Sequence, residues 1–204
     1  MHRLKPWLSM WTAPRKTVRK LIQTNPNYGI FWLSAAYMLQ LVFYCLNFWS
    51  IGFKAPHYAL IFPSLLLSPV LGFIWMFFYG WILRFTGSWF GGGAPTAHLR
   101  AALVWSRLPM ILSLPLWLSL WIYDPRGVFI QHGPGIQSFL VHGSLLFFKA
   151  WSLALFVPAL SEVQGFSYLR SIANTLVAWV IYTAAFLSLL ILFKILSHSI
   201  SLTS

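Results

Sequence analysis

Two carboxylates, Asp124 and Glu162, are all that the 204-residue sequence offers for acid–base chemistry or for oxygen-rich metal coordination. A hard-cation cage needs several oxygen ligands, and paired general acid–base catalysis needs two carboxylates at one site, so neither has a basis here. A single cysteine, Cys45, excludes an intrachain disulfide and a cysteine-based zinc site. His57, His132, His142 and His198 fall on the same side of the predicted topology as Asp124, but in separate segments without the i, i+4 spacing of a helical zinc pair. The sequence predicts no metal site. Gly91-Gly92-Gly93-Ala94-Pro95 lacks the Gly-Lys-Ser/Thr that would make it a phosphate-binding loop, and it reads as a flexible turn. No Gly-x-Ser-x-Gly elbow occurs, and a Ser-His-Asp triad would have to use Asp124. The residues point away from an enzyme and imply no cofactor.

The remaining side chains with chemical potential are basic. Arg107 follows Arg100 by seven positions, which places both on one face if the helix is continuous. It lies about two turns into an apolar run, where an unpaired charge costs a few kcal/mol. Either it pairs with Glu162, the one carboxylate on that side, or it snorkels to the headgroups. Lys149 is comparably placed: it either faces the interior of a bundle or reaches outward from the outer third of its span.

The elements that must position these groups follow from composition. Hydrophobic residues make up 59% of the chain and charged residues 8%, too few to coat a water-soluble surface. The expectation is an all-α integral membrane protein, a five-helix transmembrane bundle. Apolar runs long enough to span a bilayer occupy about 30–50, 58–83, 99–123, 137–160 and 172–196. Residues 1–29 form a separate basic interfacial segment with a short helix, and 30–204 the membrane domain. No cleavable signal peptide is expected, because Pro6 and Pro14 interrupt the first stretch. Trp7, Leu8, Met10 and Trp11 suit the headgroup boundary, and Arg15, Lys16, Arg19 and Lys20 are expected to contact anionic headgroups. Ser64, Ser68, Gly72 and Gly80 recur at multiples of four in the second span, a stripe suited to close helix packing. Pro63, Pro69, Pro109, Pro115 and Pro158 lie within predicted spans and free backbone carbonyls there.

Orientation comes from the basic residues near span ends. Nine (Arg3, Lys5, Arg15, Lys16, Arg19, Lys20, Arg84, Arg100 and Arg170) share the side of the N-terminus, against three (Lys54, Arg126 and Lys194) opposite. That asymmetry predicts a cytoplasmic N-terminus and an outward C-terminus. The net charge of +12 is accounted for at span ends, and no nucleic-acid-binding module is present.

The order of these features carries a resemblance. Trp11, Pro14, Arg15 and Thr17 precede Asn25-Pro26 and the first span. Phe90-Gly91-Gly92-Gly93 leads to Arg100, Arg107 and Pro109. Trp151 leads to Glu162-Val163-Gln164-Gly165-Phe166-Ser167 and Arg170. The chain resembles the Yip1 family of five-span membrane proteins in its short bacterial form. Eukaryotic members contact Rab GTPases in Golgi and ER membranes, with a cytosolic N-terminus longer than residues 1–29 here. The resemblance ties Arg100, Arg107, Gly165 and Arg170 to the family's cytoplasmic face, where Glu162 completes an inner-face polar cluster. The basic N-terminus, the glycine segment and the Glu162–Arg170 connection on that face suggest a non-enzymatic scaffold or adaptor in a bacterial cell membrane. Such a protein would organise anionic lipids, a protein partner or a second copy of itself. The alternative is a small transporter or channel with a polar path through Arg107, Lys149 and Glu162.

Overall fold

The computed structural model describes residues 6–131 and 136–203, the side chains of 136–138, 140, 190 and 193–203 excepted. All regular elements among them are helical. Two short helices, α1 (Pro6–Thr12) and α2 (Pro14–Thr24), precede α3 (Ile30–Phe48) and α4 (His57–Trp89). Three short helices follow: α5 (Thr96–Trp105), α6 (Leu108–Ile111) and α7 (Leu114–Tyr123). The last two, α8 (Ile136–Gln164) and α9 (Tyr168–Thr203), are long. Four helices are individually long and apolar enough to cross a membrane, and the bent α5–α7 run makes a fifth crossing when counted as one. Large apolar side chains such as Leu66, Ile74 and Leu189 stand exposed on the outer surface, as a lipid-facing bundle requires.

The third span is not one straight helix. It bends by 45° between Trp105 and Leu108. Pro109 stands in the first turn of α6 and Pro115 in the first turn of α7, positions where a missing N–H costs no helix bond. Pro63, Pro69 and Pro158, by contrast, lie inside continuous helices. The expected shared face of Arg100 and Arg107 therefore does not form: Arg100 is inside α5, and Arg107 caps the N-terminus of α6.

Close approach of α3 and α4 centres on the stripe of small residues. Ser64, Ser68, Gly72 and Gly80 are all buried, and Met76 fills the fourth step. A Cβ on Gly72 would lie 2.5 Å from the backbone oxygen of Ser34, so α3 can sit where it does only beside a glycine. A Cβ on Gly80 would meet the Cγ of Arg100 at 2.8 Å, so there a side chain and not backbone must shift. At the Asp124 end, Asn47 donates from Nδ2 to the carbonyl oxygens of Val128 (3.0 Å) and Ile130 (3.2 Å). The Gly52 N–H donates to the Phe129 oxygen at 3.0 Å, and Trp117, Phe129 and Leu145 form a second core beneath.

The main core draws in the N-terminal helices. Met10 and Val18 are fully buried and Leu21 nearly so. The ring of Trp11 packs edge-on to Trp151 at 5.0 Å, and Trp7 to Trp105 at 5.1 Å. The N-terminal segment is thus docked into the bundle, where the sequence suggests headgroup contact alone; Leu8 and half of Trp7 remain outside. Burial of each anchor is worth roughly 1.5–3 kcal/mol, more than the charges of α2 would gain from lipid headgroups one by one.

Alanine at Gly72 and at Gly80 should separate the two kinds of contact. In a helix interior alanine gains about 1 kcal/mol over glycine. Gly80→Ala is expected to be near neutral, whereas Gly72→Ala, which meets backbone, should lose about 1–3 kcal/mol. Thermal unfolding of the detergent-solubilised protein measures this, and equal stability of the two variants would contradict the packing described.

Candidate functional site

At one end of the bundle, α2 lies across α8 and α5. Its sequence makes it amphipathic: Thr17, Val18 and Leu21 face the bundle, leaving Arg15, Lys16 and Arg19 exposed. Arg15 and Arg19 are one turn apart and converge on a single carboxylate. Arg15 donates from Nε to Glu162 Oε2 at 3.1 Å, and Arg19 from Nε to Glu162 Oε1 at 2.5 Å. Arg15 also donates to the Tyr168 hydroxyl (3.4 Å) and lies over that ring at 5.4 Å. Hydrogen bonding to Tyr168 and Glu162 raises the Arg15 pKa above its ordinary value, and Glu162 does the same for Arg19.

Accessibility within this group is unequal. The Glu162 side chain is 10% exposed, while those of Arg15 and Arg19 are 44% and 58% exposed. The acid is covered by the two cations, so the outward charge is positive. Each guanidinium carries five N–H donors, and the bonds to Glu162 and Tyr168 engage only one or two of them. The surface could therefore bind phosphate or carboxylate groups from outside.

Beside this triad two helix ends are closed in the same way. After α4, Gly91 adopts φ +86°, its N–H donates to the Ser88 oxygen (3.2 Å), and the Gly92 N–H reaches back to the Gly87 oxygen (2.9 Å). This is a Schellman cap. After α8, Gly165 adopts φ +71°, and the Phe166 N–H donates to the Ser161 oxygen at 3.1 Å. Gln164 lies between them, against Gly87 and Gly92, and accepts from the Ala94 N–H at 3.4 Å. Thr86 and Asn174, both fully buried, are hydrogen-bonded nearby. The glycine-rich segment expected as a turn thus holds a hydrogen-bonded helix cap, with Gly92 against Gln164 and Phe166.

The remaining expected site residues are dispersed. Arg107 does not pair with Glu162; it lies over the rings of Tyr37 (5.5 Å) and Phe156 (5.7 Å) in mid-bundle. Arg100 stacks over Phe77 at 4.1 Å. Lys149 is exposed, with Nζ over the Tyr44 ring at 4.2 Å, and lies about 20 Å along α8 from Glu162. Arg170 is exposed at the start of α9. The structure thus joins Glu162 to Arg15 and Arg19 instead of to Arg100, Arg107 or Arg170. Among the described residues no three metal-ligating side chains converge; His132, the side chain of His198, Arg3 and Lys5 lie outside those residues.

The comparison with protein families matches residues 8–190 to the Yip1 domain. The chain belongs to the Yip1 family. No curated protein and no solved structure shows significant similarity to it. The Yip1 match takes in all of α2 together with both capped helix ends, so the docked basic helix lies within the region that resembles the family.

The partnership that sequence reasoning missed in this Yip1 protein is the one between α2 and Glu162. Its signal was present: two arginines one turn apart on the polar face of α2, and one acid available on their side. Gln164 and Asn174, the other missed residues, gave no comparable signal, because a lone amide near a span end is unremarkable.

The two caps give a test of geometry. No atom lies within 4 Å of a Cβ built on Gly91, Gly93 or Gly165, and only Gly91 and Gly165 have positive φ. Gly91→Ala and Gly165→Ala should each lose about 1 kcal/mol from the left-handed conformation alone, with Gly93→Ala neutral. Thermal unfolding of the three variants measures this, and a loss at Gly93 equal to that at Gly91 would contradict the assignment.

Proposed function

We propose that this multi-pass Yip1-family protein is a non-enzymatic membrane scaffold or adaptor. Its contact surface is the face formed by α2, the capped glycine segment and the α8–α9 connection. The observation that carries the reading is the covered Glu162 between two accessible arginines, because it makes a preformed helix present positive charge outward. A surface held rigidly before binding loses little entropy when a partner arrives. Its complement is an acidic protein surface, or anionic headgroups. The excess of basic residues on the same side supports a cytoplasmic orientation of this face in a bacterial cell membrane, with the C-terminus outside.

The transporter reading is less well supported. It needs Arg107, Lys149 and Glu162 along one path, yet each has a different environment: aromatic rings in mid-bundle, the outer surface of α8, and the α2 arginines. Gln40, Ser152 and Arg107 Nε are buried polar groups without a protein partner, the one observation that favours a polar interior.

Crosslinked pull-down from native membranes distinguishes the two. Replacing Arg15, Lys16, Arg19 and Lys20 together with glutamine should reduce partner recovery at least about tenfold, a loss of only about 1.4 kcal/mol. Lys149→Leu should leave recovery unchanged. Retained recovery in the fourfold variant, together with loss of solute flux in Lys149→Leu proteoliposomes, would overturn the scaffold reading in favour of transport.

A further inference from the structure

A groove of about 610 Å³ runs between α8 and α9 on the outer surface of the bundle. Leu153, Ala154 and Val157 form one wall, Ile172 and Leu176 the other, and Tyr168 closes one end. Its span along α9, from Tyr168 to Leu176, is about 12 Å, the length of a substantial part of an acyl chain within one leaflet. Apart from Thr175 and the Tyr168 hydroxyl the groove lining is apolar, and the nearest charge is at its Tyr168 end. Tyr168 is the residue that Arg15 both covers with its guanidinium and bonds through the hydroxyl. Along α8, Ala150, Ala154, Pro158 and Glu162 follow one another at four-residue steps, so the groove wall leads on the same face to the carboxylate that holds Arg15 and Arg19.

We propose that this groove is a binding site for one anionic phospholipid, its acyl chain between α8 and α9 and its phosphate on the accessible guanidiniums of Arg15 and Arg19. Charge complementarity selects the occupant. The chain's own acid at this point is covered, and the exposed donors are cationic. A guanidinium offers a forked set of donors to phosphate oxygens. The site uses the same docked α2 as the proposed contact surface, but it needs no protein partner and can be tested in purified protein.

The test is native mass spectrometry of lipid retained after reconstitution into vesicles of equal parts phosphatidylglycerol and phosphatidylethanolamine, followed by extraction into mild detergent. The wild type should retain one phosphatidylglycerol in clear preference to phosphatidylethanolamine. Arg15→Gln should cut that preference about fivefold, the loss expected for one basic residue near an anionic lipid. Ala154→Phe, which fills the groove without changing charge, should reduce retention of both lipids. If that variant fails to fold, Leu176→Trp on the opposite wall serves the same purpose. Lys54→Gln, a basic residue in the connection between α3 and α4, should change nothing. Equal retention of the two lipids by the wild type, or undiminished retention in the folded groove-filling variant, would overturn the proposal.

Discussion

The docking of α2 against α8 is the constraint on which the character of this protein rests. Without it the first residues would be a basic strand beside the membrane, and Glu162 would be an unpaired acid at the end of a membrane helix. With it, Val18 and Leu21 of α2 enter the core beside Met10 of α1, and the two arginines close over the carboxylate. The relative magnitudes assign the roles. Three buried apolar anchors at roughly 1.5–3 kcal/mol each supply the attachment. The ion pairs, with partly exposed guanidiniums, contribute much less to stability. Their role is to fix which way α2 faces and which charge it shows.

The same end of the bundle is stiffened by the backbone. Two Schellman caps stand next to one another, and Gln164 fits between them. The α4–α5 connection therefore begins with a hydrogen-bonded cap, and so does the α8–α9 connection at Gly165. A membrane protein can present a defined surface only if its connections are held, since they carry the groups that reach beyond the lipid. The helix break at Ser106 and Arg107 adds a different feature. It redirects the third span so that Arg107 meets aromatic rings of α3 and α8 in place of an acid, a cation–π environment suited to a cation away from bulk water.

Much of the fold was legible in the sequence because hydropathy in a bilayer is a strong constraint. Runs of about 20 apolar residues have few alternatives to spanning helices. The small-residue stripe of α4 was legible for a related reason, since close helix approach needs small side chains at fixed intervals. The candidate site was less legible. The sequence identified Glu162 and offered Arg107 as a candidate partner beside the snorkelling alternative, because span depth ranks charges only by their cost. It cannot show that Pro109 begins a new helix and turns Arg107 away, nor that α2 folds back to place Arg15 and Arg19 on the acid. Those outcomes depend on tertiary packing. The burial of Met10 and the partial burial of Trp11 illustrate the same limit, because such residues suit a headgroup boundary and a helix groove equally well.

The basic helix α2 is part of the bundle and not merely adsorbed to charged lipid. Amide hydrogen exchange across residues 14–24 in nanodiscs made only of phosphatidylcholine tests this most directly. The docked helix should remain protected without any anionic lipid, and Val18→Asp should abolish that protection. Protection that emerges only when anionic lipid is added, or that survives Val18→Asp unchanged, would contradict it.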